Sequence, residues 1–207
     1  MIKHCKILFV WIWLIVFTFP STAQDEWELA KHDTDIKVYL HKSYKTNRTY
    51  RAEAIVNAPI EIVYNFLTDF HNYINWVYSC DIIEVLLEEK DKKYAYYAYY
   101  DIPWPFTDRD AVSVLSITHH PNGAIEVNSS PGIGYKPKVP DVIRIEEFEE
   151  HYLYIPINSN STKIEMTGSY NPGGSIPEWL LKQFLTSGPL DALQEIKKNS
   201  EERAKKK

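Results

Sequence analysis

The chain has 207 residues, with 23 basic and 28 acidic side chains and a formal charge of −5. That balance argues against a nucleic acid as partner, because holding a phosphate backbone needs a basic face. A single domain of this length buries roughly 70% of its unfolded surface, which is enough for a core and a cavity together, so no second domain is required.

The chain opens on a segment of its own. Lys3, His4 and Lys6 lead an apolar run from Ile7 to Phe19, followed by the small residues Ser21 and Ala23. This is the pattern of a secretory signal peptide over 1–23, with cleavage expected before Gln24. As a helix the apolar run spans about 20 Å, short of the roughly 30 Å of a bilayer's hydrocarbon core, which disfavours an uncleaved anchor. No cysteine follows the cleavage site to carry a lipid. Removing Lys3 and Lys6 from the 23 basic residues leaves 21 against 28 acidic ones, so the mature chain carries −7. It is expected to be soluble and exported, either periplasmic or secreted. Cys5 leaves with the signal, so Cys80 has no partner for a disulfide and reads as a small buried hydrophobe. Sequons at Asn47, Asn128 and Asn160 matter only in a eukaryotic secretory pathway.

In chain order, the spacing predicts a short helix over 24–31 carrying Trp27 and Leu29. A half-buried strand over 36–41 follows, with Ile36, Val38 and Leu40 on one face. A strand over 49–57 puts Tyr50, Ala52, Ala54 and Val56 together and ends where Pro59 can start a helix bearing Ile60, Val63, Tyr64 and Leu67. A second short helical segment with Tyr73, Ile74 and Trp76 follows Asp69. Strand signals then recur at 80–88, 93–101, 110–120, 124–129, 142–149, 152–157 and 162–170, most of them separated by turn residues. Ser175 and Glu178 stand in capping-box spacing at the head of a long amphipathic helix with a break or kink at Gly188-Pro189. The fold class is α+β with segregated helices, an antiparallel sheet curled around the last helix. The space left between sheet and helix must be filled by side chains or kept as a pocket.

Several of these residues resemble a known family. Trp27, the strand through Val38 and Tyr39, Ala58-Pro59 with Leu67 and Asp69, and then Trp76 stand in the order seen in START (StAR-related lipid transfer) domains. Residues 100–110, YDIPWPFTDRD, resemble that family's proline-rich turn and Arg-Asp pair, and 171–180, NPGGSIPEWL, is similar to its entry into the C-terminal helix. On these segments the chain is identified as a bacterial-type, exported, single-domain member, with a START-like domain over 24–198 and a charged tail over 199–207. The resemblance implies a helix-grip fold around a tunnel for one lipid or other hydrophobic molecule, in a monomer that touches membranes transiently and needs no cofactor. The gate is expected either in the 130–141 loop, rich in Pro and Gly, or in the last helix at Gly188-Pro189.

Alternation turns Tyr96, Ala98 and Tyr100 of one strand and Leu115 and Ile117 of the next inward as the expected ligand contacts, and leaves Tyr97 and Tyr99 outside. Trp104, Phe106, Trp179 and Phe184 are placed near the tunnel mouth. Arg109 and Asp110, adjacent in a strand, must point to opposite faces and anchor different neighbours. In START members that bind sterols or phosphatidylcholine, a basic residue often stands six positions after that arginine, where this chain has Leu115. The acidic partner of the sterol-type members falls near Tyr96. Both departures imply a cavity wall that is apolar and phenolic, and a ligand not held by an ion pair or phosphate clamp.

The alternative is a cyclase- or hydrolase-like enzyme of the same superfamily using the cavity as its active site. Such an enzyme needs an inward-facing carboxylate or histidine in a wet pocket. The histidines of the mature chain are scattered, the His119-His120 doublet cannot put both rings on one metal from a strand, and no GxSxG elbow or phosphate loop occurs. The expectation is therefore no catalytic residue and no metal.

Overall fold

The structure, a computed structural model, describes residues 26–77 and 79–206. The proposed signal segment lies outside them. Period-two alternation is what builds the sheet. In β2 (Ile36–His41) the side chains of Ile36, Val38 and Leu40 are buried. In β3 (Thr49–Val56) Tyr50, Ala52, Ala54 and Val56 are buried, while Arg51 and Ile55 are exposed. These inward faces form one core cluster with Val63 and Phe66 of α2 (Ile60–Leu67) and with Leu193 and Ile196 of α3 (Glu178–Lys205). Each fully buried aliphatic side chain of this kind contributes about 1.5–3 kcal/mol.

The remaining elements complete a single curved sheet. β1 (Trp27–Asp33) pairs with β2, and α1 (Tyr44–Asn47) leads into β3. After α2, a 3-10 turn at Phe70–Asn75 carries the chain to the far edge, where β4 (Cys80–Glu89) begins. Then come β5 (Lys93–Tyr100), β6 (Arg109–His119), β7 (Ile125–Pro131), β8 (Ile143–Ile145), β9 (Glu147–Asn158) and β10 (Ser161–Asn171). The strand order is β1-β2-β3-β10-β9-β7-β6-β5-β4, with β8 beside β6. All pairings are antiparallel except that of β6 with β8. α3 packs on β1, β2, β3 and α2, giving the expected α+β helix grip.

Four expectations are corrected. The 24–31 segment is a strand, not a helix. A bulge between Leu29 and Lys31 puts the half-buried Trp27 and Ala30 three residues apart, a spacing that imitates a helical face. Strands expected at 142–149 and 152–157 are instead the short β8 and one long β9 that runs straight through Glu149-Glu150-His151. The N-cap of α3 is Pro177, without a side-chain cap, rather than Ser175. Glu178 in the first turn instead accepts from the Tyr44 hydroxyl at 2.9 Å and pairs with Lys45 at 2.9 Å, tying α1 to α3. Finally, α3 does not break at Gly188-Pro189, since helix runs through the buried Pro189. The helix also continues through 199–205, with Arg203 lying 4.8 Å over the Phe66 ring.

Asp110 is fully buried on the outer side of the sheet and accepts from Arg144 Nε at 2.7 Å and Nη2 at 2.8 Å. Arg144 also donates to the carbonyls of Lys136 at 3.1 Å and Pro137 at 3.0 Å, pinning the 130–141 loop against β8. Removing one partner of such a pair leaves a buried charge unpaired. Arg144→Met is expected to destabilise the protein by about 3–5 kcal/mol, read as a lowered urea midpoint. A shift under about 1 kcal/mol would mean that Asp110 is reached by water.

Candidate functional site: a phenol-lined cavity

Because α3 covers β1–β3 closely but stands off from β5, β6, β7 and β9, a cavity of about 290 Å³ remains between sheet and helices. Its sheet wall is formed by Tyr96 and Tyr100 from β5, Leu115 and Ile117 from β6, and Val127 and Ser129 from β7. Glu150, Tyr152 and Tyr154 from β9, Met166 and Tyr170 from β10, and Tyr50 from β3 continue it. α3 contributes Phe184, Leu185 and Ile196. The 3-10 turn holds the wall in place, with Phe70 stacked on Tyr96 at 5.0 Å between centroids and Tyr73 edge-on to it at 5.5 Å.

Of the residues expected to meet a ligand, Tyr96, Tyr100, Leu115, Ile117 and Phe184 line the cavity. Ala98, Trp104, Phe106 and Trp179 do not. Ala98 is buried in β5, between the lining residues Tyr96 and Tyr100, without lining the cavity itself. Trp104 is 92% exposed on the 101–108 loop, where strand alternation no longer applies. Phe106 packs edge-on against Trp179, itself 61% exposed, at 6.4 Å. Ile102 and Phe184 carry that loop and helix to the cavity wall instead. No residue of 132–141 lines it. Tyr97 and Tyr99 face away, Tyr97 beneath Lys136 at 4.4 Å and Tyr99 donating to Asp108 at 2.6 Å.

The cavity is also more charged than the sequence suggested. Arg109, 4% exposed, lies on its wall and donates to the carbonyls of Thr107 and Pro172, the latter at 3.5 Å, while Asp110 points the other way. Glu150 also lines it, accepting from Tyr50 Oη at 2.9 Å and Tyr152 Oη at 2.9 Å. Burial holds its carboxyl above the ordinary carboxylate range, and the hydrogen bonds from Tyr152 and Tyr50 pull it back only in part. Burial pushes both phenols far above their ordinary value, so they stay protonated as donors. Ending one strand at Glu149 and starting the next at Tyr152 left Glu150 between them and hid this residue. Its strand neighbours Phe148 and Tyr152, at the two-residue spacing of an inward face, were the available signal.

Other chemistry is thin. Among the described residues no group of three or more His, Cys, Asp or Glu side chains could hold a metal ion. His120 pairs with Glu126 at 2.8 Å, while its neighbour His119 lies edge-on to Tyr64 at 5.8 Å. Burial pushes the Cys80 thiol up to about 11, which leaves it a poor nucleophile.

The family model described as START domain matches residues 18–206. The chain belongs to the START domain family. An uncharacterized protein of Pseudomonas aeruginosa is 26% identical over 180 residues, covering 86% of this chain and 89% of its own. The crystal structure of a STAR-related lipid transfer protein from Xanthomonas axonopodis matches with a TM-score of 0.76 at 26% identity, over 85% of this chain and 99% of that one. The aromatase/cyclase Zhui from Streptomyces matches with a TM-score of 0.55 at 13% identity, over 75% of this chain and 94% of that one, a likeness of fold. Within the START fold, this chain's cavity presents a wall of phenols around the inward-facing carboxyl of Glu150.

Glu150 makes stability depend on pH in a defined direction. An unfolded glutamate titrates near 4.3. The native value is higher, so the native state keeps a proton that the unfolded chain has released, and stability falls as pH rises between the two values. Glu150→Gln is therefore expected to flatten the loss of stability seen by urea unfolding as the pH is raised above about 4. An identical pH profile for both proteins would contradict this assignment.

Proposed function

We propose that the mature chain is exported, binds one lipid-like molecule in the cavity between sheet and α3, and exchanges it passively with membranes. The observation that carries the reading is the cavity itself, apolar and phenolic over most of its wall. Each methylene moved from water to such surroundings gains about 0.8 kcal/mol, so a sixteen-carbon chain gains about 13 kcal/mol. A bilayer offers the same gain, so transfer runs in either direction without nucleotide. Export is supported by the sequence pattern at 1–23.

Entry is assigned to the rim where the 101–108 loop meets the first half of α3. Trp104 and Trp179 are exposed there, beside Ile102 and Phe184 of the wall, and exposed tryptophans favour the membrane interface. The 130–141 loop is a weaker gate candidate, because Arg144 pins it on the outer side of the sheet. Two variants test the reading in a vesicle-to-vesicle assay with a fluorescent phospholipid. Leu115→Trp fills the cavity and should abolish lipid uptake in a protein that still folds by circular dichroism. Trp104→Ala should slow transfer while leaving the amount of lipid bound unchanged. Undiminished uptake by Leu115→Trp would place the lipid elsewhere.

A second reading, catalysis in the same cavity, is favoured by one observation. Glu150 is an inward-facing carboxyl with weakened acidity, as a general acid or base requires. Incubation with extracted lipids, followed by mass analysis of bound and released molecules, separates the two. Unchanged ligand masses support binding, and a product mass that disappears with Glu150→Gln supports catalysis.

A further inference from the structure

The register of four adjacent strands sets one transverse row across the cavity wall. Ser129 of β7 stands opposite Glu150 of β9, Glu150 opposite Gly168 of β10, and Gly168 opposite Tyr50 of β3. Neighbouring strands lie about 4.8 Å apart, so side chains of such a row converge. Gly168 is in the interior of a strand, where glycine costs stability. Its reason is steric. A Cβ there would stand 2.6 Å from the Tyr50 ring and 2.7 Å from its hydroxyl. Only the bare backbone lets Tyr50 lie across β10 and reach Glu150. Tyr152, two residues along β9 on the same face, supplies the second phenol.

What surrounds Glu150, half-buried on the cavity wall, is unusual for an inward-facing carboxyl. Among the described residues no lysine or arginine pairs with it, and Arg109, the cation of the cavity wall, is engaged by backbone carbonyls. A buried charge without a cation is costly. A carboxylate has about four acceptor positions, and two phenols occupy two of them. Beside it, Ser129 is 4% exposed and its Oγ is buried with no hydrogen-bond partner. Acceptors are thus in surplus at one spot on the wall.

We infer that Glu150 and Ser129, with Tyr50 and Tyr152 behind them, form a head-recognition subsite for an amphiphile whose polar end donates hydrogen bonds, an amine or a hydroxyl. This rests on the binding reading above and names the ligand class within it. An ammonium head supplies N–H donors to the free acceptors of Glu150 and to Ser129 Oγ and also compensates the charge. A hydroxyl supplies one donor. A carboxylate head meets a second carboxyl and brings no donor.

The test uses four dodecyl probes on the 24–207 protein: dodecylamine, dodecanol, dodecanoate and the headless dodecane, each competing with a bound fluorescent lipid at neutral pH. The wild type is expected to bind the amine or the alcohol roughly tenfold or more tighter than dodecanoate. Glu150→Gln should erase that preference while dodecane binds as before. Loss for the amine alone identifies a cationic head, and loss for amine and alcohol together identifies a neutral donor. Glu150→Met, which has no charge to bury, replaces Glu150→Gln if the latter does not fold. Equal binding of all headed probes to wild type and variant, or a preference for dodecanoate, overturns the subsite but leaves the cavity reading standing. Failure of every probe, dodecane included, overturns the cavity reading itself.

Discussion

One mismatch of size governs this molecule. The inner face of a curved sheet must be covered, yet the single long helix α3 packs closely on β1, β2 and β3 alone. Ala52 and Ala54, both buried, present little bulk to Leu193 and Ile196 in the shared core. Further along the sheet, the inner face carries tyrosines on β5 and β9 and aliphatic side chains on β6 and β7, and α3 stands off from all four strands. Closing that space with backbone would collapse the curvature, and leaving it wet would expose apolar surface. A bound hydrophobic ligand would resolve the conflict, which is the physical reason a helix grip suits such a cargo.

The frame was largely legible in the sequence because its signals are periodic. Alternation at 36–41 and 49–57 placed Ile36, Val38, Tyr50 and Ala52 correctly, and Pro59 marked the start of α2. Errors arose where a local feature imitated another period. The bulge in β1 spaced Trp27 and Ala30 like a helix. Polar residues in mid-strand were the second trap. Glu149-Glu150-His151 looks like a turn, yet only Glu149 and His151 face outward, while Glu150 points into the cavity. Sequence alone gives no hint that a carboxyl will be paired with a tyrosine a hundred residues away.

The same blindness explains the misplaced charge. With Tyr96 and Leu115 where the START resemblance led one to expect ions, the wall reads as neutral, and those two side chains do line it uncharged. Charge instead enters from β9 through Glu150, from the start of β6 through Arg109 and, at an exposed position on α3, through Asp191. Residues at a loop are equally hard to place. Trp104 and Trp179 were expected near the cavity mouth as ligand contacts and are instead exposed without lining the cavity, because neither belongs to the alternating part of a strand. Membership of the START family fixes the fold and supports a hydrophobic ligand, and leaves the head group to such details.

The central claim, that the cavity holds a ligand, is tested most directly by native mass spectrometry of the protein taken from cells that naturally make it, before and after denaturation. A single species bound near one-to-one and released on unfolding is the predicted result. A mass equal to the polypeptide alone, together with a crystal structure in which side chains fill the space around Glu150, would contradict it.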